Sequence, residues 1–211
     1  ATATSTCKRI AVFSGSGKIN IYDNNSRSAD NYIQQAFPSN AWGKKYLTVP
    51  TAKMTNNIYR IAVSDPTAVV KVNGSIIPAS SFVNNFYYDF VSNTANSIEA
   101  NLPIMVAQYI TTTGTYGNIN NGNGDPEMIY LSPIEQTINK VTINSTPFAN
   151  IVDTLHYVNI TMPKSAAASL KVDGVTPTNS VVHPGDANFV YFQVNLRSGA
   201  HTIIADSGFN A

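Results

Sequence analysis

Val69-Val70-Lys71-Val72-Asn73-Gly74 returns further along the chain as Ser169-Leu170-Lys171-Val172-Asp173-Gly174. Each copy is a short β-branched run closed by Asn-Gly or Asp-Gly, a pair that tolerates positive φ and so favours a tight turn between strands. The match continues outward in order. Pro38 stands seven residues before Lys45, as Pro133 does before Lys140, and each pair leads into a strand pattern, Tyr46-Leu47-Thr48-Val49 and Val141-Thr142-Ile143-Asn144. Ile58-Tyr59-Arg60-Ile61 answers to His156-Tyr157-Val158-Asn159-Ile160, and Phe86-Tyr87-Tyr88-Asp89-Phe90-Val91 to Val190-Tyr191-Phe192-Gln193-Val194. Ser97-Ile98-Glu99-Ala100-Asn101 answers to Thr202-Ile203-Ile204-Ala205-Asp206. Five elements thus keep their order at offsets that drift only from 95 to 105, which predicts a tandem repeat.

Apolar residues nowhere recur at i, i+3, i+4 and i+7 for three turns, so helices are not expected. Short β-branched and aromatic runs recur instead, among them Arg9–Ser14, Ile58–Ser64, Phe82–Val91, Ile104–Thr111, His156–Met162 and Phe189–Leu196. The predicted fold class is all-β, in two tandem β-sandwich-like units. A unit of about 100 residues with six or so strands suits a sandwich. A propeller blade is roughly half as long, which makes a propeller-like arrangement the runner-up. The expected division gives residues 1–35 to the terminal strand of a preceding unit plus a long connection, 36–110 to the first unit, 111–130 to a long Asn/Gly-rich loop, and 131–211 to a second unit whose last strand is incomplete. Leu102–Tyr109 reads as a final strand of the first unit with no counterpart after Ala205-Asp206, while Lys8–Ser14 reads as a final strand with nothing before it. Residues 8–14 are therefore expected to complete the second unit by closure or strand exchange, since an uncovered edge invites pairing.

The 211 residues hold thirteen Lys+Arg and twelve Asp+Glu, a net charge of +1, and only 12% are charged. Soluble domains usually carry roughly 25%. Polarity comes from 25 Asn and from Ser, Thr, Gln and Gly. That balance argues against a nucleic-acid binder, which needs a basic face for phosphates, and against a polybasic membrane-surface protein. No apolar run reaches the ~18–20 residues of a spanning helix, so no membrane insertion is expected. The opening Ala-Thr-Ala-Thr-Ser-Thr reads as a mature or trimmed end without a signal peptide. The single Cys7 allows no internal disulfide.

Lys8-Arg9-Ile10-Ala11-Val12-Phe13-Ser14-Gly15, Tyr32-Ile33-Gln34-Gln35-Ala36-Phe37-Pro38, Trp42-Gly43-Lys44-Lys45-Tyr46 and Gly124-Asp125-Pro126-Glu127-Met128 together resemble the IgG-Fc-binding protein N-terminal domain family. The end of the chain, Leu196-Arg197-Ser198-Gly199-Ala200-His201-Thr202-Ile203, is similar to that family's closing motif. The chain departs from the family in having no cysteine in Ser14–Asp30 and a single proline in Gln35-Ala36-Phe37-Pro38. The resemblance implies a secreted or cell-surface module of a large multidomain protein, here of bacterial style. It implies no catalytic residues, and Fc binding is not carried over to this chain.

Two long connections, Gly15–Ala36 and Thr111–Tyr130, fall at equivalent places in the repeat. Loops of about 20 residues are uncommon and are often functional. Equivalent loops should leave the same end of each unit. The expected ligand-binding surface therefore comprises Tyr22, Asp23, Tyr32, Tyr116, Asn118, Asn120, Asn121, Asn123, Asp125 and Glu127, whose aromatic faces and amides suit a sugar or a protein. The alternative is that these segments are plain linkers. Asp125 and Glu127, with the carbonyls of 118–124, are the residues that could supply oxygens to Ca²⁺, although no EF-hand spacing is present. Otherwise no cofactor is expected, and Gly124-Asp125-Pro126 reads as a turn.

His156, His183 and His201 lie in three different elements without paired-ligand spacing, and no Gly-x-Ser-x-Gly occurs. The function expected is a non-catalytic extracellular binding or adhesion module that recognises a glycan or an extracellular protein. The alternatives are a structural spacer without its own ligand and, less in keeping with the residues, a glycan-active enzyme.

Overall fold

The computed structural model describes residues 10–19, 21, 29–54, 56–110, 126–146 and 156–211. These residues form strands and short 3₁₀ turns, with no α-helix among them. The all-β class expected from the alternating patterns is therefore the one observed.

In the first half, β1 (Phe13–Ile19) and β2 (Asp30–Gln35) make an antiparallel hairpin. The next seven strands share one sheet built around a single long strand. They are β3 (Gly43–Thr48), β4 (Asn57–Val63), β5 (Val70–Val72), β6 (Ser75–Ile76), β7 (Tyr87–Ser92), β8 (Asn96–Ile110) and β9 (Glu127–Tyr130). The first part of β8 runs between β3 and β5, with Glu99 opposite both Lys45 and Lys71. Its second part runs between β4 and β9, with Ala107 opposite both Arg60 and Tyr130. The change of neighbours falls at Ile104, which pairs with Gly43 on one side and Val63 on the other. Pro103, which has no N–H to donate, sits at this crossing point, where a ladder bond is dispensable.

The second half contains β10 (Ile138–Ser145), β11 (His156–Pro163), β12 (Lys171–Val172), β13 (Val181–Val182), β14 (Phe189–Leu196) and β15 (Gly199–Phe209). They form two three-stranded sheets, β10-β15-β12 and β11-β14-β13. Its pairings run in the same registers as those of the first half. Lys45↔Glu99 has its counterpart in Lys140↔Ile204, and Lys71↔Glu99 in Lys171↔Ile204. Ile61↔Tyr88 has its counterpart in Ile160↔Phe192, and Gly43↔Ile104 in Ile138↔Phe209. The turns match too, with φ of 50° and 82° at Asn73-Gly74 and of 51° and 81° at Asp173-Gly174.

Each half buries its own cluster. Tyr46, Ile61, Val63, Val70, Ile98, Ile104 and Val106 come together in the first, drawn from strands on both parts of β8. Val158, Ile160, Met162, Leu170, Phe192, Ile203 and Phe209 come together in the second. Alternation in β14 puts Val190, Phe192 and Leu196 inward, where the two sheets of the second half share one cluster in a sandwich-like arrangement.

Three local expectations change. The strand expected at Arg9–Ser14 lies at Phe13–Ile19 among the described residues. The stretches read as continuous loops contain β2 and β9, edge strands whose Asp, Asn, Gln and Glu have low strand propensity. The two strands expected at Ser97–Asn101 and Leu102–Tyr109 are one continuous strand, β8.

A polar joint connects the halves. Lys45 Nζ lies 2.7 Å from Asp186 Oδ2 and 3.1 Å from Glu99 Oε1. Gln193 Nε2 donates to Pro50 O at 2.8 Å, and Asn159 Nδ2 to the same oxygen at 3.1 Å. His183, 1% exposed, accepts from the Gly185 N–H at Nδ1, so its proton sits on Nε2, 3.1 Å from Thr48 O. Burial lowers the pKa of His183. His201 is held the opposite way, with Nδ1 2.7 Å from Asp173 Oδ2 and Nε2 2.8 Å from Arg197 O. Both partners are acceptors, so both ring nitrogens must donate, and the Asp173 hydrogen bond raises the pKa of His201.

The two signs oppose each other. A histidine kept neutral contributes stability above its unfolded pKa of about 6.5, and this is lost as pH falls. A histidine kept charged contributes stability below about 6.5, and this is lost as pH rises through its raised value. Urea midpoints across this range are expected to decline with rising pH in His183→Gln and with falling pH in His201→Gln. Parallel slopes in the two variants would contradict the assignment.

Candidate functional site

The stems of the two long connections are gathered at one end of the first half. Tyr32 on β2, Ile58 on β4, Ala107 and Tyr109 on β8, and Met128 on β9 form a buried cluster. The Tyr32 and Tyr109 rings meet edge-on, with centroids 5.4 Å apart at 88°. Tyr32 lies two residues inside the start of β2, Tyr109 next to the last residue of β8, and Met128 next to the first of β9. Ile19, the last residue of β1, pairs with Asp30. The paired strand ends Ile19 and Asp30, and Ile110 and Glu127, are therefore tied together through the Tyr32–Tyr109 contact.

A second layer supports this cluster. Arg60 on β4 is surrounded by apolar residues in sequence, and its guanidinium pairs bidentately with Asp89 on β7, Nε to Oδ1 at 2.8 Å and an outer nitrogen to Oδ2 at 2.7 Å. The same guanidinium lies 4.1 Å over the Tyr87 ring and 5.6 Å from that of Tyr109. The Asp89 hydrogen bonds raise the pKa of Arg60 further, and burial raises those of Tyr32, Tyr109 and Tyr130. These phenols are consequently neutral packing groups. Phe37 meets Tyr130 edge-on at 5.5 Å, and Trp42 Nε1 donates to Phe37 O at 3.3 Å, which gives Trp42 a structural place beside the same stems.

Of the expected ligand-binding residues, Tyr32 and Glu127 are among those described. Tyr32 is 6% exposed, so its ring pins the stem from within. Glu127 is exposed on the rim, where its Oε1 accepts from the Met128 N–H at 3.2 Å. Tyr22, Asp23, Tyr116, Asn118, Asn120, Asn121, Asn123 and Asp125 lie outside the described residues. Among the described residues no group of three or more His, Cys, Asp or Glu is placed to hold a metal ion. Glu127 alone of the Asp125/Glu127 pair is described.

Arg60 and Asp89 are the supporting residues that sequence reasoning missed. The available signal was one charge of each sign in two apolar strands, Ile58-Tyr59-Arg60-Ile61-Ala62-Val63 and Tyr87-Tyr88-Asp89-Phe90-Val91. The recess lined by Val63, Pro66, Ala68, Ala79, Phe82 and Asn85 is too small for more than a water-sized group. No helix among the described residues is long and apolar enough to cross a membrane.

No curated protein and no solved structure matches the chain. A family model does, over nearly its full length and with the motifs that frame these stems inside the match. The chain belongs to the family described as IgGFc binding protein, whose model matches residues 2–211.

Proposed function

We propose that the chain is a non-catalytic, extracellular binding or adhesion module of a larger cell-surface protein, and that it recognises a glycan or a protein through its two Asn/Gly-rich connections. The observation that carries this reading is the gathering of both stems by the Tyr32–Tyr109 contact over the Arg60 layer. With the stems of both segments already fixed beside one another, a ligand that engaged both would meet a lower ordering cost. The residues they present, Tyr22, Tyr116, Asn118, Asn120, Asn121 and Asn123, combine flat aromatic faces with amides. Membership of a family of binding proteins supports binding over catalysis. The ligand class is drawn from the residues, and IgG Fc is not assigned. Residues 36–110 and 131–211 are read as two tandem units, supported by their matching registers.

The test is binding of the full chain to a glycan array and to mucin-coated surfaces, repeated after Asn118–Gly124 is replaced by Gly-Ser. Binding is expected to weaken at least about tenfold, or ~1.4 kcal/mol, on shortening. Binding that survives unchanged removes the loops as the site. Absence of binding by the parent chain favours the spacer reading, to which the polar joint between the halves would be suited. Addition of a chelator reports separately on any Ca²⁺ held by Asp125 and Glu127.

A further inference from the structure

The contacts between the halves fall into two groups. One lies where the chain passes from the first half to the second. Leu131 N donates to Val106 O at 2.9 Å and Ile134 N to Lys45 O at 3.0 Å. Lys44 N donates to Glu135 Oε1 at 3.0 Å, and Gly43 lies so close to Pro133 that a Cβ would collide with its ring. Residues 131–136 are thereby fixed to β3 and β8, and Glu135 is their only ionisable side chain.

The other group is made by the loop 183–188 between β13 and β14, with Asn159 and Gln193 beside it. This loop has no counterpart in the first half. The bridge Val83↔Tyr87, which matches Val181↔Tyr191, is closed by residues 84–86 alone, where the second half uses 182–190. The extra length reaches the first half. His183 Nε2 meets Thr48 O at 3.1 Å, Asp186 Oδ2 meets Lys45 Nζ at 2.7 Å, and Gly185 packs against Ser97 with no room for a Cβ. Asn159 and Gln193 hold Pro50 O on the same side.

We propose that the loop 183–188 is a proton-operated latch, released from the first half when His183 is protonated, so that the two halves open about residues 131–136. In the closed form His183 Nδ1 accepts from the Gly185 N–H at 3.1 Å. A proton on Nδ1 sets two donors against each other, and the bond is lost. The loop has no slack to relieve that conflict in place, because Gly185 touches the backbone of Ser97 and Asp186 is tied to Lys45. The ring is 1% exposed, and a charge entering a buried site is costly unless it is paired. Among the described residues the charged groups facing it are Asp186 on its own loop, Lys45 on β3 and, bound to Lys45, Glu99 on β8. Burial opposes the proton most, the Thr48 carbonyl and Asp186 favour it, and Lys45 opposes it. Tyr191 on β14 adds a ring edge at 6.1 Å. The latch rests on the reading of 36–110 and 131–211 as two units, and it adds a device that sets their separation.

Spin labels at Lys71→Cys and Thr178→Cys, an exposed site in each half, report the distance between the halves in a Cys7→Ser background. In the parent the open fraction is expected to rise about tenfold between pH 7.5 and 5.5, which ends one unit below the ordinary histidine value of about 6.5. Amide exchange at Ile61 and Phe192 is expected to show both clusters still protected at the lower pH. His183→Gln keeps a donor for Thr48 and an acceptor for Gly185 and does not titrate, so its distances are expected to stay closed at both pH values. Lys45→Met removes the tie to Asp186 and a repelling charge, and is expected to raise the opening midpoint by at least about 0.5 pH unit. It also serves if the glutamine variant fails to fold. Parent distances that stay constant while both clusters remain protected would overturn the latch and leave the two-unit reading standing. An equal response in His183→Gln, or an unmoved midpoint in Lys45→Met, would overturn it too. Loss of both clusters together with the change in distance would overturn the latch and the two-unit reading alike.

Discussion

Replacing Arg60 with methionine is expected to lower the stability of the protein by about 3–5 kcal/mol, the cost of removing one partner from a buried ion pair. The side chain of Asp89 is 8% exposed and that of Arg60 32%, so the carboxylate is the partner that water cannot easily rescue. Methionine keeps most of the apolar stem and removes the charge, which isolates the electrostatic loss from a packing loss. Asp89→Leu alone should cost less, because the guanidinium remains over Tyr87 and is a third open to solvent. The double variant Arg60→Met/Asp89→Leu should recover most of the loss, since well-packed apolar replacements of a buried pair are often neutral. Denaturant midpoints of the four proteins complete a double-mutant cycle. A coupling below about 0.5 kcal/mol would show that the bidentate geometry contributes little. The consequence for the site is direct, because the same guanidinium approaches Tyr109, and Tyr109 holds Tyr32. Hydrogen-exchange protection at Tyr109 and Met128 should therefore fall in Arg60→Met beyond its fall elsewhere in the sheet.

The parts of the fold legible in the sequence are those where pattern and environment agree. Tyr59-Arg60-Ile61-Ala62-Val63 alternates and is a strand with apolar cover on both faces. Asn73-Gly74 and Asp173-Gly174 read as turns because their chemistry allows positive φ, and all four residues have it. The recurring residue types likewise fall at matching paired positions in the two halves. What escaped was decided by partners distant in sequence. Asp30-Asn31-Tyr32-Ile33-Gln34-Gln35 looks like a loop, and it is a strand because β1 pairs with it and because Tyr32 finds Tyr109 to pack on. Ser97–Asn101 and Leu102–Tyr109 look like two strands, yet they are one, and Pro103 falls where β8 changes neighbours and a donor is dispensable. At the stems, the Arg60–Asp89 support was not legible, because nothing local indicates that the two charges face one another across β4 and β7.

Phe192→Ala is expected to cost about 3–5 kcal/mol, the range for truncating a buried aromatic side chain. Phe192 is 2% exposed, pairs opposite Ile160, and packs in the cluster of the second half with Met162, Leu170, Ile203 and Phe209. That cluster shares no residue with the cluster of Tyr46, Ile61 and Ile98. Between them lie polar contacts, chiefly Lys45–Asp186, His183–Thr48 and Gln193–Pro50, each of which is worth only about 0.5–3 kcal/mol. If the halves are separate units, the cavity left by Phe192 should unfold the second half while the first keeps its core. Amide exchange is therefore expected to lose protection through β11, β14 and β15, with β4 and the first part of β8 retaining theirs. Equal loss in both halves would mean that the polar joint binds them into one cooperative body. The matching registers would then describe a shared ancestry of form and not two units of stability.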